Sequence, residues 1–412
     1  MRKNIFRSIL CSLLFLVLSG CNDPVFYEVS TQVKSPKPIV KGSPTNFASI
    51  NVKEEIEVVY VASGNSVHYY FEKTETDPET NEESKAWTWS RTDPSLGRIT
   101  YLAATDSELF ILTPNGVHKT TPSGEPDTTN HLVFSQTPIS VSGYRFITMY
   151  SAGNQIFVGA KNDAGTSYSI FKITSSTAEE MAETNNGLLN GAAFNGTNYF
   201  FSVKDQVTRS AGGIYSDKTS PVSLVGDNYS IPFMGIISIG NTVIAISRNG
   251  VLYNAETVET LKNNDGGDIS TGKTSNGVLS VVNAYNYDSE KWDGAPLLLA
   301  GRQDALTYDV YSGYTYGYLE IELDGDSVKP DGAFREPGVN TSSAASLPST
   351  LERVRGSNDT FRTTIGTYVI KFIFQSKDSY NTIFSSTHQN GVWSLRDQND
   401  KSKNYPYWNS EN

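Results

Sequence analysis

Five stretches, VVYVASGNSVHYYF (58–71), ITYLAATDSELFIL (99–112), ITMYSAGNQIFVGA (147–160), NGAAFNGTNYFFSV (190–203) and IISIGNTVIAIS (236–247), follow one pattern. In each, an apolar run rich in β-branched and aromatic residues meets a tight turn of Gly, Asn or Asp, and a second such run follows. Runs of this composition are strands, and a two-residue turn between them makes a hairpin, because Gly and Asn reach the positive φ angles it needs. The turns fall at Gly64, Asp106, Gly153, Gly196 and Gly240, so their spacings are 42, 47, 43 and 44 residues. A period of that length marks a supersecondary unit that cannot bury its own faces and must stack on copies of itself.

A second punctuation follows several of these hairpins: Asn115-Gly116-Val117-His118, Gly212-Gly213-Ile214-Tyr215, Asn249-Gly250-Val251 with Tyr253, and Asn390-Gly391-Val392-Trp393. Each unit is therefore a meander of three to four antiparallel strands, and the expected fold is an all-β, β-propeller domain over residues 46–400. Five blades start near residues 57, 99, 145, 190 and 233. A sixth runs from Leu279–Val282 through Leu297–Ala300 to Tyr318–Ile321, and a seventh from Ile365 through Tyr368–Phe374 and Thr382–Phe384 to Val392–Leu395. Seven blades is the expected count. The interval between the sixth and seventh turns is about twice the repeat and leaves room for an eighth; the segment 324–362, polar and rich in small residues, is read as a long surface loop. Helical periodicity is almost absent, with 177–184 the best stretch for it, and residues 401–412 read as a polar C-terminal tail.

The composition agrees with a globular chain. Of 412 residues, 38% are hydrophobic and 11% aromatic, enough apolar surface to fold. Basic side chains number 33 and acidic ones 44, a net charge of −11, so nucleic acid, whose phosphates need neutralising cations, is not an expected partner. Two cysteines cannot staple a disulfide scaffold.

The N-terminus has Arg2, Lys3 and Arg7, then the ten apolar-rich residues ILCSLLFLVL (9–18), then Ser19, Gly20 and Cys21. Ten residues is half of the roughly 20 a helix needs to cross a bilayer, so residues 1–20 read as a signal peptide. Leu18-Ser19-Gly20-Cys21 resembles the lipobox of bacterial lipoproteins. The resemblance implies cleavage before Cys21, acyl chains on that cysteine, and a lipid anchor to a membrane of the bacterial cell envelope, on its periplasmic side or at the cell surface. Losing residues 1–20 would remove three positive charges and leave 30 − 44 = −14. Such a charge is repelled by anionic headgroups, so acyl chains, not a basic patch, are expected to hold the protein at the membrane. Residues 21–45 then hold the anchor, a short β-type stretch, and a Pro-rich linker at 32–45. Phe26–Ser30 is the expected donor of a ring-closing strand, which would shorten the tether to 22–24.

Motifs that carry chemistry are sparse. His68, His118, His131 and His388 stand alone in sequence, and zinc needs several ligands at close spacing, so no metal and no cofactor are expected. Asn263–Asp268 and Asp324–Asp326 cluster oxygen donors, yet neither has the spacing of a calcium-binding EF-hand, and Gly-Asp clusters are first of all turn formers. Ser385–Trp393 faintly resembles the Asp-box of sialidases, but lacks the aspartate and has a Gly-to-Trp spacing one residue short. Trp87 and Trp89 alternate along one strand and, with Trp292, could form a stacking platform; packing between blades is the commoner use of such rings. No catalytic residue can be named. The expected function is a membrane-anchored binding or scaffolding module with a protein or carbohydrate partner, similar in outline to the propeller subunit of the bacterial outer-membrane protein assembly machinery, whose Trp-ended docking motif it lacks. The alternative is a sialidase-like glycosidase or other carbohydrate-active enzyme. The two differ in one respect: a hydrolase would gather acids and arginines in the central funnel.

Overall fold

The structure is a computed structural model. It describes residues 39–396 and 407–410, apart from 53–55, 77–82, 124–125, 127–130, 185–186, 207, 209, 227–228, 272–274, 285–293, 304–315, 331–334, 337–346, 349–369, 377–381 and 389–390. Seven sheets follow one another along the chain, forming a seven-bladed β-propeller with no helix among the described residues. Blade 1 comprises Phe47–Val52, Ile56–Ser63, Ser66–Thr76 and Glu83–Thr92. Blade 2 has Tyr101–Ala104, Leu109–Thr113 and Gly116–Thr120, with Ile139 bridged to Val117 at its outer edge. Blade 3 has Tyr144–Ala152, Gln155–Asn162, Tyr168–Ile173 and Ala178–Thr184. Blade 4 has Gly187–Phe194, Tyr199–Asp205, Gly212–Ser216 and Ser223–Leu224. Blade 5 has Phe233–Ile239, Thr242–Ser247, Leu252–Asn254 and Glu259–Thr260. Blade 6 is built on Ser275–Asn283, Pro296–Gln303 and Tyr316–Asp324, and blade 7 on Ile370–Gln375, Ile383–Thr387, Val392–Arg396 and Tyr407–Ser410. The first strand of each blade is innermost. First strands touch in chain order, and that of blade 7 meets that of blade 1, which closes the ring.

The strands read as near-continuous apolar runs because both faces of every blade are covered. Side chains alternate across a strand, so Phe200 packs toward blade 5 while its neighbour Phe201 packs toward blade 3. Likewise Val58, Tyr60 and Ala62 face blade 2, and Val59 and Val61 face blade 7. The buried apolar residues accordingly fall into seven clusters, one for each pair of adjacent blades.

Several boundaries differ from the sequence reading. Blade 1 begins at Phe47, one strand earlier than 57, and the Gly64 turn joins its second and third strands. The turns at Gly153, Gly196 and Gly240 join first and second strands, so Gly64 lies on the opposite face of the disk. Segment 324–362 supplies short outer strands to blade 6, Arg335 pairing with Glu320, and the first strands of blades 6 and 7 are in direct contact, so there is no eighth blade between them. Residues 178–184, the best stretch for a helix, form the outer strand of blade 3; Glu179, Glu180 and Glu183 are exposed there, and charge on an edge strand deters further pairing. The tail is no mere tail, since Tyr407–Ser410 is the outer strand of blade 7. The end of the expected linker is also part of the ring: Val40, Pro44 and Thr45 are buried, Gly391 N donates to Gly42 O at 3.0 Å and Val392 N to Val40 O at 3.2 Å. Phe26–Ser30 and Cys21 lie outside the described residues.

Candidate functional site

A register shift recurs in the innermost strands. It falls between Phe146 and Thr148, Leu189 and Gly191, Phe233 and Gly235, Ser275 and Leu279, and Ile370 and Phe372. A β-bulge leaves one residue unpaired and re-aims its side chain. Here the residues set free are Ile147, Asn190, Met234, the longer run Asn276-Gly277-Val278, and Lys371, and all of them line a cavity of about 690 Å³ at the centre of the ring. Glycine accompanies three of these bulges, at 191, 235 and 277. Gly235 and Gly277, on neighbouring first strands, approach so closely that a Cβ on either would collide with the other strand's backbone.

Side chains at and near the bulges also stitch the wall. Thr148 Oγ1 donates to Leu189 O at 2.7 Å, joining blade 3 to blade 4, and Asn190 Nδ2 donates to Phe233 O at 2.7 Å, joining blade 4 to blade 5. Asn276 Nδ2 donates to Ile370 O at 2.8 Å between blades 6 and 7. Between blades 2 and 3 the rings of Tyr101 and Tyr150 meet edge to face at 5.7 Å with their hydroxyls hydrogen-bonded. Burial holds both phenols above their ordinary pKa, so they stay neutral donors.

The cavity lies toward one face. Lys204 and Gln206 sit at the end of a second strand, His388 follows another, and the lining parts of the first strands include their early residues. In an antiparallel pair the start of one strand adjoins the end of the next, so these groups share one mouth. Lys371 is the most constrained of them. Its ammonium donates to Pro44 O at 2.5 Å and to Ser43 Oγ at 3.3 Å, and burial, with Arg98 nearby, lowers its pKa. Among the described residues the lining carries two lysines and a histidine, with no carboxylate and no arginine.

The other residues singled out in the sequence are placed elsewhere. Trp87 and Trp89 pack on Tyr70 at 5.0 and 5.2 Å, and Trp89 meets Phe384 edge-on at 5.8 Å. They belong to the junction of blades 1 and 7. Trp292 lies outside the described residues. His131 is fully buried, its Nε2 2.9 Å from the Tyr60 hydroxyl, and His118 Nδ1 lies 2.7 Å from Ser135 O. His68 is buried in blade 1, and desolvation, then Arg91, pulls its pKa down to about 4. Asn263 Oδ1 accepts from the amides of Asp265 and Gly267, while Asp268 takes Thr260 Oγ1 and Lys262, so the loop's oxygens close their own turn. Asp326 Oδ2 accepts from Asn241 N at 3.3 Å and ties blade 6 to blade 5. Among the described residues no three His, Cys, Asp or Glu are grouped to hold a metal. Of Ser385–Trp393, the described residues form strand ends of blade 7. The central cavity itself escaped the sequence reading. Its signal was an isolated glycine inside a strand pattern, at 191, 235 and 277, where bulges are expected.

No protein-family model matches the chain, and no curated protein matches it. Among solved structures, the extracellular domain of a hybrid two component system from B. thetaiotaomicron aligns at 12% identity with a TM-score of 0.43, over 87% of this chain and 38% of that one. The present chain thus spans well under half of that protein's length. BBS1N, solved in complex with ARL6DN, aligns at 7% identity and a TM-score of 0.47 over 90% of this chain and 96% of that chain. Dihydro-heme d1 dehydrogenase NirN, solved in complex with DHE, aligns at 12% identity and a TM-score of 0.44 over 90% and 67% of the two chains.

Proposed function

We propose that the protein is an exported lipoprotein of the bacterial cell envelope, anchored through acyl chains on Cys21, whose propeller binds a protein or carbohydrate partner at the face where the central cavity opens. The observation that carries the binding reading is the cavity itself. Five inner strands each use a bulge to turn a side chain into it, and hydrogen bonds to the next blade hold much of that wall rigid. A preformed concave site with a few placed polar groups is what recognition needs. Glycoside hydrolysis by the usual route needs two carboxyl groups flanking the scissile bond, and the described lining offers none. The anchor reading rests on the ordered succession of charged, apolar and small residues ending at Cys21.

Two measurements test these halves. In a bacterial host fed an alkyne-tagged fatty acid, the full chain should become labelled and sediment with membranes, and Cys21→Ser should abolish the label and release the protein from the membrane pellet. Labelling unchanged by Cys21→Ser sinks the anchor. Turnover of a panel of chromogenic glycosides by the purified protein would sink the binding reading in favour of catalysis.

A further inference from the structure

The whole protein carries an excess of acid, −11, yet the described wall of its central cavity holds Lys204, Lys371 and His388 and no carboxylate. That reversal of sign is local. Lys371 makes it sharper, because an ammonium has three N–H donors, and here it donates to Pro44 O and Ser43 Oγ, both neutral. Arg98, another cation, bears on it as well, and the described cavity lining offers it no carboxylate. A partly buried cation without a counter-ion is costly, and an anion entering the cavity would relieve that cost. Much of the rest of the wall is apolar, with Met234, Ile236, Val278, Leu279 and Phe372 among its lining residues.

We propose that the central cavity binds a small organic oxyanion, its charged group at Lys371 and its body against the rest of the wall. The inference rests on the reading of this cavity as a binding site and names the class of ligand it takes. About 690 Å³ accommodates a ligand of roughly monosaccharide to drug size. Asn276 and Gln206, whose amide nitrogens donate to Ile370 O and Lys204 O, add polar groups of fixed orientation to the lining. Carboxylate, sulfate and phosphate share the chemistry that an ammonium recognises, and the experiment separates them.

The test is calorimetric titration of the full chain, in detergent and at fixed ionic strength, with glucuronate, glucose 6-sulfate, glucose 6-phosphate and, as the uncharged reference, glucose. At least one anion is expected to bind about tenfold or more tightly than glucose, with affinity falling as salt rises. Lys371→Met should erase that preference and Lys371→Arg retain it. Lys329→Met, at a lysine paired with Glu322 at 3.0 Å outside the cavity lining, should leave it intact. Lys371→Gln, which removes the charge but keeps a polar end, supplies a second reading should Lys371→Met fail to fold, which its melting curve reveals. Anions that bind no better than glucose, or a preference surviving Lys371→Met or Lys371→Gln, overturn the proposal. Tight binding of glucose alone would overturn it while leaving the binding reading standing; cleavage of a glycoside with the anion preference intact would do the reverse.

Discussion

At Gly235 and Gly277 the chain has no side chain because two backbones occupy the space a Cβ would take. These residues sit beside the bulges at Met234 and Asn276, so their smallness and the outward turn of the bulged side chains are one feature seen twice. Gly235→Ala should therefore cost roughly 1–3 kcal/mol, the usual range for overpacking, and chemical denaturation of the variant checks it. A control at Gly266, a turn glycine at φ +79° with no atom near a built Cβ, tests backbone strain without crowding. An unaffected midpoint for Gly235→Ala would mean that blades 5 and 6 can separate freely. Single residues were also where the sequence spoke least about the site. Asn190-Gly191 opens an apolar run and Asn276-Gly277 precedes another, and only the pairing shows that the strands slip register there. A bulge is a property of register, and register is set by the partner strand.

Among elements, the clear hairpins were legible because each strand is buried on both faces and so carries the densest apolar signal. The strands that escaped are those with one exposed face or an interrupted approach. Phe47–Val52 mixes Ser49 and Asn51 into its run, and Ala178–Thr184 places three glutamates at an outer edge. Tyr407–Ser410 stands apart from its partner Val392–Arg396, by a polar segment that broke the rhythm. That last strand has a measurable duty. Ending the chain at residue 400 would strip the outer strand from blade 7 and leave the outward-facing backbone groups of Val392–Arg396 unpaired, an edge open to association. The truncated protein should melt at lower temperature and aggregate at concentrations the full chain tolerates, as light scattering during a thermal ramp would report. A truncated form as stable and monodisperse as the parent would show that the strand is dispensable.

For the whole molecule, closure is the property that a chain of similar blades must solve. Blades 1 and 7 are each contiguous in sequence, and among the described residues they are joined by side-chain packing and two backbone hydrogen bonds. Phe384, fully buried, lies at the centre of that seam, within 6.0 Å of Phe47 and 5.1 Å of Tyr70. Phe384→Ala should cost about 3–5 kcal/mol, as for other buried Phe truncations, and the loss should concentrate at the seam. Hydrogen exchange would then quicken in blades 1 and 7 while blade 4 stays protected; uniform acceleration would mean that the ring has no preferred place to open.

The seam also fixes where the chain departs. Ser43 and Pro44 touch Lys371, and Gly42 touches Gly391, so the polypeptide leaves the ring beside the cavity mouth. From Cys21 to Pro38 is 17 residues, at most about 60 Å fully stretched. If acyl chains hold Cys21, the mouth is leashed from its own side and cannot wander far from the bilayer. A target displayed on that same membrane would then be met at high effective concentration, in a search confined to a thin layer, and modest intrinsic affinity would suffice for lasting capture.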